Sequence, residues 1–171
     1  MPDIIALIRE IPDYPKPGIL FYDITPVLAD AAAFSALMDS LAEPFERGGI
    51  DKVAGIEARG FMLAAGVAER LGAGFIPIRK AGKLPYRTQR QDYDLEYGSD
   101  AVEIHEDAVG PGDRVLIVDD VIATGGTAVA SARLLERVGA ELAGLSVFIE
   151  LTDLGGRATL DGLPFHAIVQ R

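Results

Sequence analysis

Residues 115–128 constrain the fold and the function of this chain more than any other stretch. Their sequence has four apolar residues, two adjacent carboxylates, and a Thr/Gly loop that opens a helical pattern. The continuous apolar run predicts a strand that is buried on both faces, as in the centre of a parallel sheet. Asp119 and Asp120 would then lie at its carboxyl end, which is where open α/β sheets bind ligands.

The loop that follows the two acids has the composition of an anion-binding turn. Gly125 and Gly126 allow a tight turn and a close approach of the backbone to a ligand. Thr124 and Thr127 add hydroxyl groups beside the first free N–H groups of a helix, and such a terminus attracts anions. The stretch therefore offers carboxylates for a polyol or a metal and, a few residues later, a binding loop for one phosphate.

A glycine pair alone is also typical of an ordinary connection between a strand and a helix. A nucleotide-binding P-loop needs a Lys after its last glycine, whereas Thr127 follows Gly126. A dinucleotide-binding fold needs Gly-x-Gly-x-x-Gly after its first strand, and that spacing does not occur here.

The composition indicates a single globular domain and argues against several other classes of protein. With 171 residues, of which 49% are hydrophobic, the chain is long enough for one domain with a single core. The formal net charge of -10 argues against a general nucleic-acid surface. The chain has no cysteine, which excludes disulfides and thiolate metal sites. Because we find neither a signal peptide nor an apolar run of about 20 residues, we expect a soluble, cytoplasmic protein.

Helical and strand-like patterns alternate along the chain, which favours a mostly parallel central sheet flanked by helices in a single α/β domain over residues 1–171. We expect helices at about 2–11, 31–47, 61–71 and 127–138, and strands at about 52–57, 75–78, 101–106, 115–118, 142–151 and 165–169. Pro44 should kink or shorten the second helix. Residues 18–26 are apolar and aromatic, and they form either a covering loop or a hood that closes on a flat ligand with Phe21 stacked on it.

Residues 79–90 hold five basic side chains and no acid, in a chain that is otherwise acidic. A run of charges is usually a solvated face. In an acidic protein, however, a polyanionic substrate would need such local positive charge, and Gly82 and Pro85 suit a mobile lid. Arg59 has the same two explanations, a surface charge or a second anion site, because it precedes a predicted helix. A metal or catalytic role for His105 is disfavoured, because the chain has only two histidines and they lie far apart.

Residues 115–128 resemble the sequence motif of type I phosphoribosyltransferases, which bind 5-phosphoribosyl-1-diphosphate. Other stretches resemble the adenine-specific branch of that family, in its order and spacing, and they cover almost the whole chain. These are Phe-Tyr-Asp-Ile-Thr-Pro at 21–26, Arg-Gly-Phe at 59–61, Arg-Lys-Ala-Gly-Lys-Leu-Pro at 79–85 and Leu-Glu-Tyr-Gly at 95–98.

The resemblance implies the type I phosphoribosyltransferase fold, with an N-terminal hood at about 1–30 and a flexible lid at about 81–98. It implies transfer of the phosphoribosyl group to N9 of adenine, giving AMP and diphosphate in purine salvage. It also implies Mg²⁺ held mainly by the substrate near Asp119 and Asp120, and a homodimer. The implied binding residues for the diphosphate donor are Asp119, Asp120, Ala123, Thr124, Gly125, Gly126, Thr127, Ala58, Arg59, Gly60, Arg79, Lys80 and Lys83.

By the same resemblance, Glu96 handles the proton near the base, and adenine is bound by Leu20, Phe21, Tyr22 and Leu151. Two features depart from the family. The segment 86–92 is more basic than in other members, and Tyr22 occupies a position where some members carry Arg.

Three other functions are compatible with parts of the sequence. A transcription regulator that senses the donor would need a DNA-binding module, for which the residues before Ile19 are too few. A xanthine or guanine transferase would share the donor site and would differ in turning over 6-oxopurines. A receiver-like signalling domain could use the paired acids, but it would have no use for the Thr/Gly loop or the basic segment.

Overall fold

A computed structural model describes residues 3–94 and 98–171. The chain divides into two compact units, residues 1–40 and residues 41–171. In the described part of the chain, none of the helices combines the length and the apolar character that crossing a membrane requires.

The first unit contains a small antiparallel sheet and a short helix. Strand β1 (Arg9–Pro12) pairs with β2 (Leu20–Asp23), and Ile11 lies opposite Phe21. Helix α1 (Thr25–Ala29) follows, with Pro26 in its first turn. Helix α2 (Ala31–Ala42) starts in this unit, and the Asp30 carboxylate accepts a hydrogen bond of 2.8 Å from the N–H of Ala33.

The helix predicted over residues 2–11 is wrong. The side chain of Asp3 accepts hydrogen bonds from the N–H groups of Ile5 and Ala6, at 3.1 and 3.2 Å, but only one turn follows before the chain extends into β1. The helical spacing of the isoleucines is overridden because β1 forms backbone hydrogen bonds with β2, an interaction that a local pattern does not encode.

The second unit is built around a seven-stranded sheet. Its strands are β3 (Lys52–Ile56), β4 (Gly74–Lys80), β5 (Thr88–Asp94), β6 (Ser99–His105), β7 (Arg114–Ile122), β8 (Glu141–Glu150) and β9 (Phe165–Gln170). Their order is β5-β6-β4-β3-β7-β8-β9. Strands β3, β4, β7, β8 and β9 are parallel to one another, and β6 runs antiparallel to both of its neighbours, β4 and β5. This confirms the predicted α/β architecture with a mostly parallel sheet.

Helices α3 (Arg59–Leu71) and α4 (Gly126–Arg137) pack against the sheet. The four apolar residues at 115–118, in β7, have no exposed surface, as expected for a central strand with both faces covered. Gly72 ends α3 in the left-handed conformation, and α2 stops at Ala42, two residues before Pro44.

The polar segment at 81–98 contains a strand that the sequence pattern did not predict. Residues Thr88–Asp94 form β5, which pairs in full with β6. The predicted strand at 101–106 is confirmed as β6, one position from the edge of the sheet. Mobility of the segment as a lid stays a prediction.

Candidate active site

The paired acids lie in the carboxyl-terminal half of β7. The strand continues to Ile122, so Asp119 and Asp120 are inside it and not beyond its end, a small correction to the expected boundary. Asp119 accepts a hydrogen bond of 2.9 Å from the N–H of Asp120. The Asp120 residue is only 5% exposed. A buried carboxylate requires a compensating charge or hydrogen bond.

Arg59 supplies that charge. Its Nε lies 2.8 Å from Oδ2 of Asp120, and the two groups form an ion pair. The contact is electrostatic, since this Oδ2 atom accepts no hydrogen bond from the described residues. Arg59 opens α3, directly after Ala58, and the next residue, Gly60, lies against Asp119. A Cβ at Gly60 would come within 2.8 Å of the Asp119 carboxylate, so a glycine is needed for this approach. The acids and the turn at 58–60 therefore form one site.

The same packing changes the ionisation of Asp119. Burial, followed by the negative charge of Asp120, raises the pKa of Asp119 well above its ordinary value. Arg59 opposes the shift but does not cancel it. The pair of acids consequently carries its full negative charge at a cost in folding free energy.

The Thr/Gly loop forms the predicted transition from strand to helix. Gly125 has φ 85°, a left-handed conformation, and Gly126 begins α4. The residues at 121–128 line a cavity of about 120 Å³ together with Asp119. Ala123, Thr124, Gly125, Gly126 and Thr127 are all in this lining. The first N–H groups of α4 and the two threonine hydroxyls give this cavity the chemistry of a site for one phosphate.

A second turn supports the loop from behind. A 3₁₀ turn at Gly156–Thr159 packs so closely that a Cβ at Gly125 would lie 2.2 Å from the Thr159 hydroxyl. A Cβ at Gly156 would lie 2.3 Å from the Ala123 carbonyl oxygen. The Thr159 hydroxyl donates a hydrogen bond of 2.7 Å to the Gly156 carbonyl. Two glycines thus set the distance between the loop and its support.

The basic residues at the end of β4 have an acidic partner that sequence reasoning missed. Glu57 accepts hydrogen bonds from Lys83 at 2.6 Å, from the Lys80 N–H at 3.0 Å and from Arg79 at 3.3 and 3.4 Å. Burial favours the neutral acid, but these hydrogen bonds outweigh it and lower the pKa of Glu57 to about 2. Glu57 therefore holds Arg79 and Lys83 in one cluster.

Lys80 points to a different group of residues. Its ammonium contacts the Asp100 carboxylate and donates a hydrogen bond of 2.5 Å to the Tyr93 hydroxyl. The Thr127 hydroxyl donates to the same Tyr93 oxygen at 3.3 Å. Burial acts against the charged amine, but the bonds to Asp100 and Tyr93 raise the pKa of Lys80. Lys80 accordingly remains a cation beside the Thr/Gly loop.

The remaining basic residues of the segment are also paired. Arg87 lies 3.5 Å from Glu106, and Arg90 lies 2.7 Å from Asp92. All five cations of residues 79–90 thus have a carboxylate neighbour, which explains how an unusually basic segment is accommodated.

The residues expected to bind a flat base fall in both units. In the first unit, Leu20, Phe21 and Tyr22 form most of β2, and the Phe21 ring packs edge-on against Tyr14 at 5.2 Å between centroids. In the second unit, Leu151 follows β8 directly and donates a backbone hydrogen bond of 3.0 Å to Ile122. Glu96 lies outside the described residues.

A signal for Glu57 was present in the sequence, because it follows a buried strand and precedes Ala58 and Arg59 at the sheet edge where ligands bind. Tyr93 and Asp100 gave no such signal. Their meeting with Lys80 depends on the pairing of β5 with β6 and of β6 with β4.

Among residues 3–94 and 98–171, no three His, Asp or Glu side chains are arranged to hold a metal ion. The two carboxylates of Asp119 and Asp120 nevertheless fit Mg²⁺, which prefers oxygen ligands and usually takes the rest of its shell from water and substrate phosphates.

Comparison with known proteins agrees with this geometry. A family model described as "Phosphoribosyl transferase domain" matches residues 25–159. The adenine phosphoribosyltransferase of Acidothermus cellulolyticus is 59% identical over 92% of this chain and 89% of its own length. The crystal structure of the adenine phosphoribosyltransferase from Rhodothermus marinus has a TM-score of 0.94 and 53% identity, covering 98% of this chain and 96% of that one.

The yeast enzyme is also similar. The structure of adenine phosphoribosyltransferase from Saccharomyces cerevisiae, complexed with D-2,5-dideoxy-2,5-imino-altritol 1,6-bisphosphate and adenine, has a TM-score of 0.92 and 39% identity, with 97% and 96% coverage. The chain therefore belongs to the phosphoribosyltransferase family. Within that family, its relatives place it among the adenine phosphoribosyltransferases.

Glu57→Gln should destabilise the protein at neutral pH, because Arg79 and Lys83 would lose their shared anion. We expect a loss of about 1–2 kcal/mol in the free energy of unfolding, measured by urea denaturation at pH 7. Since the pKa of Glu57 falls from 4.5 to about 2 on folding, the wild-type advantage should be complete above pH 4.5 and decrease as the pH falls toward 2. The exposed Glu43→Gln is the control. An unchanged stability at pH 7 would contradict this account.

Asp119→Asn should stabilise the protein without donor. Asn keeps an oxygen for the Asp120 N–H and removes a charge whose ionisation is costly. Because folding raises the pKa of Asp119, the penalty is complete above that raised pKa, decreases as the pH falls below it, and disappears only below the ordinary pKa of an aspartate, where the carboxyl is protonated in the folded and the unfolded chain alike. We expect a Tm gain of a few degrees at pH 7.5 that shrinks on acidification, and no gain for the exposed Asp107→Asn. A Tm loss at pH 7.5 would show that the carboxylate is needed for folding.

Proposed function

We propose that this chain transfers the 5-phosphoribosyl group from 5-phospho-α-D-ribose 1-diphosphate to N9 of adenine, giving AMP and diphosphate. The observation that carries the proposal is the near full-length similarity to adenine phosphoribosyltransferases, at 59% identity to the Acidothermus cellulolyticus relative. The site described above offers a separate feature for each part of the donor. In this proposal, residues 1–171 act together as a single phosphoribosyltransferase domain.

The donor phosphates would occupy the two anion sites. The loop of residues 123–127 suits the 5′-phosphate, because it combines a helix N-terminus with threonine hydroxyls. The diphosphate would bind at the turn 58–60 and at Arg79, Lys80 and Lys83. Glu57 forms ion pairs with Arg79 and Lys83. An incoming diphosphate must therefore share these two cations with Glu57 or replace it as their partner.

The reaction develops opposite charges on the two sides of the bond that breaks. As the bond between C1′ and the diphosphate oxygen lengthens, positive charge develops on the sugar and negative charge on the leaving group. Arg79, Lys80 and Lys83 would stabilise the growing negative charge, while Asp119 and Asp120 would bind the ribose 2′- and 3′-hydroxyls and fix the position of the ring. Catalysis of this kind depends on placement of charge and not on a protein nucleophile.

Mg²⁺ is the cofactor we propose. When bound, it would neutralise diphosphate charge, with Asp119 and Asp120 as the protein carboxylates nearest to it, directly or through hydroxyls and water. The raised pKa of Asp119 supports a site where a cation is favourable, since a cation relieves the repulsion between the two acids.

Adenine recognition is proposed for Leu20, Phe21, Tyr22 and Leu151, with Phe21 stacking on the ring. The yeast relative, whose structure contains adenine, supports a purine as the acceptor. Glu96 is proposed to handle the proton lost from or gained at the base. Cytoplasmic location and assembly into a homodimer stay predictions.

The test is a turnover assay with a panel of bases. The protein, purified from a host strain that lacks its own adenine phosphoribosyltransferase, is incubated with Mg²⁺, the diphosphate donor and one base: adenine, hypoxanthine, guanine, xanthine or orotate. We expect diphosphate release with adenine and at least about 100-fold less with the other bases. A pocket whose polar groups hydrogen-bond to adenine would leave some of those groups unpaired when a different base binds. The double variant Asp119→Asn/Asp120→Asn should release almost none.

Faster release with a 6-oxopurine would keep the donor site and overturn the adenine assignment. No release with any base, together with measurable donor binding, would favour a sensor of the donor. Because the host lacks this activity, equal turnover in the double variant would contradict the role proposed for Asp119 and Asp120.

A further inference from the structure

Tyr93 lies at a junction of four elements near the Thr/Gly loop. It belongs to β5, and its half-buried ring packs against the apolar core. The Lys80 ammonium lies 5.2 Å from the centre of the ring, and a Cβ at Gly126 would contact the ring at 3.6 Å. The ring is therefore held in place by packing, and its hydroxyl has a defined position.

The Tyr93 hydroxyl uses its full hydrogen-bonding capacity. A phenol has one hydrogen to donate and two acceptor positions. Here it donates to the Asp100 carboxylate at 3.2 Å and accepts from Lys80 at 2.5 Å and from Thr127 at 3.3 Å. These partners lie in β6, β4 and the first turn of α4. One oxygen thus connects three elements to β5.

A second attachment holds β5 against α4. Arg137, in the last turn of that helix, donates a hydrogen bond of 3.1 Å to the Gln91 side chain and another to the Arg90 carbonyl. Tyr93 acts at the other end of the helix through Thr127. The strand that leads into the 95–98 segment is consequently attached to the phosphate-loop helix near both of its ends.

Two of the partners belong to different parts of the proposed donor site. Lys80 is in the set assigned to the diphosphate, and Thr127 is in the loop assigned to the 5′-phosphate, whereas Tyr93 is in neither. We propose that Tyr93 is a positioning residue for the donor: its hydroxyl fixes the Lys80 ammonium and the Thr127 hydroxyl relative to each other, so that both ends of the donor meet groups already placed. This rests on the proposed function.

The proposal makes a specific kinetic prediction. Tyr93→Phe keeps the ring and its packing and removes only the bridging oxygen. Lys80 would keep its contact with Asp100 but lose its link to Thr127, so the donor itself would have to fix the position of one group relative to the other, which costs binding free energy. We expect the KM for the diphosphate donor to rise about 5- to 20-fold, because hydrogen bonds to charged groups are the stronger ones. The KM for adenine should change less than about twofold, since the partners of the Tyr93 hydroxyl are Asp100, Lys80 and Thr127, none of which is in the set proposed for the base.

The matched control is Tyr86→Phe, at a 53% exposed tyrosine of the same segment whose ring lies edge-on to His105. Its KM values and Tm should equal those of the wild type. Calorimetric titration of each protein with the diphosphate donor and Mg²⁺ gives the dissociation constant without turnover, so the proposal is tested even if no base is a substrate.

An unchanged donor KM and dissociation constant in Tyr93→Phe would overturn the proposal. A large fall in Tm, with equal losses for donor and adenine, would also overturn it, because that result indicates a purely structural role. Failure of the proposed function has a different outcome: wild type and Tyr86→Phe would both lack adenine turnover, while the effect of Tyr93→Phe on donor binding would still be measured.

Discussion

The ion pair between Arg59 and Asp120 is the interaction on which the rest of the site depends. Two adjacent carboxylates in a buried strand repel each other, and the low local dielectric makes that repulsion costly. Arg59, 2.8 Å from Asp120, offsets part of the cost and joins the start of α3 to β7. Because Gly60 lets the helix approach Asp119, the paired acids and the turn at 58–60 become neighbours.

The same principle of paired charges extends through the basic segment. Arg79 and Lys83 share Glu57, and Lys80 contacts Asp100. Within a protein of net charge -10, these pairs give each of the three cations a carboxylate neighbour. They also limit which anions can bind, because a ligand must interact with these cations more strongly than the carboxylates of Glu57 and Asp100 do. A diphosphate, with more charge and more acceptor oxygens than one carboxylate, meets that condition.

The sequence predicted features whose cause is local. The apolar run before Asp119 and the glycine pair at 125–126 each specify their own conformation, and the structure confirms both. The N-terminal helix failed because β1 is stabilised by its partner β2 and not by its own pattern. Tyr93 and Asp100 were missed for the same reason: their contacts come from strand pairing and register, which the spacing of residues in one segment does not reveal.

The most direct measurement is a crystal structure of the wild-type protein with Mg²⁺ and the diphosphate donor, without a base. We expect the 5′-phosphate in the loop of residues 123–127, the ribose hydroxyls hydrogen-bonded to Asp119 and Asp120, and the diphosphate on Arg79 and Lys83 with the Glu57 ion pairs lengthened or broken. A donor bound elsewhere, with the Glu57 pairs intact and the loop free of phosphate, would contradict the assignment of this site.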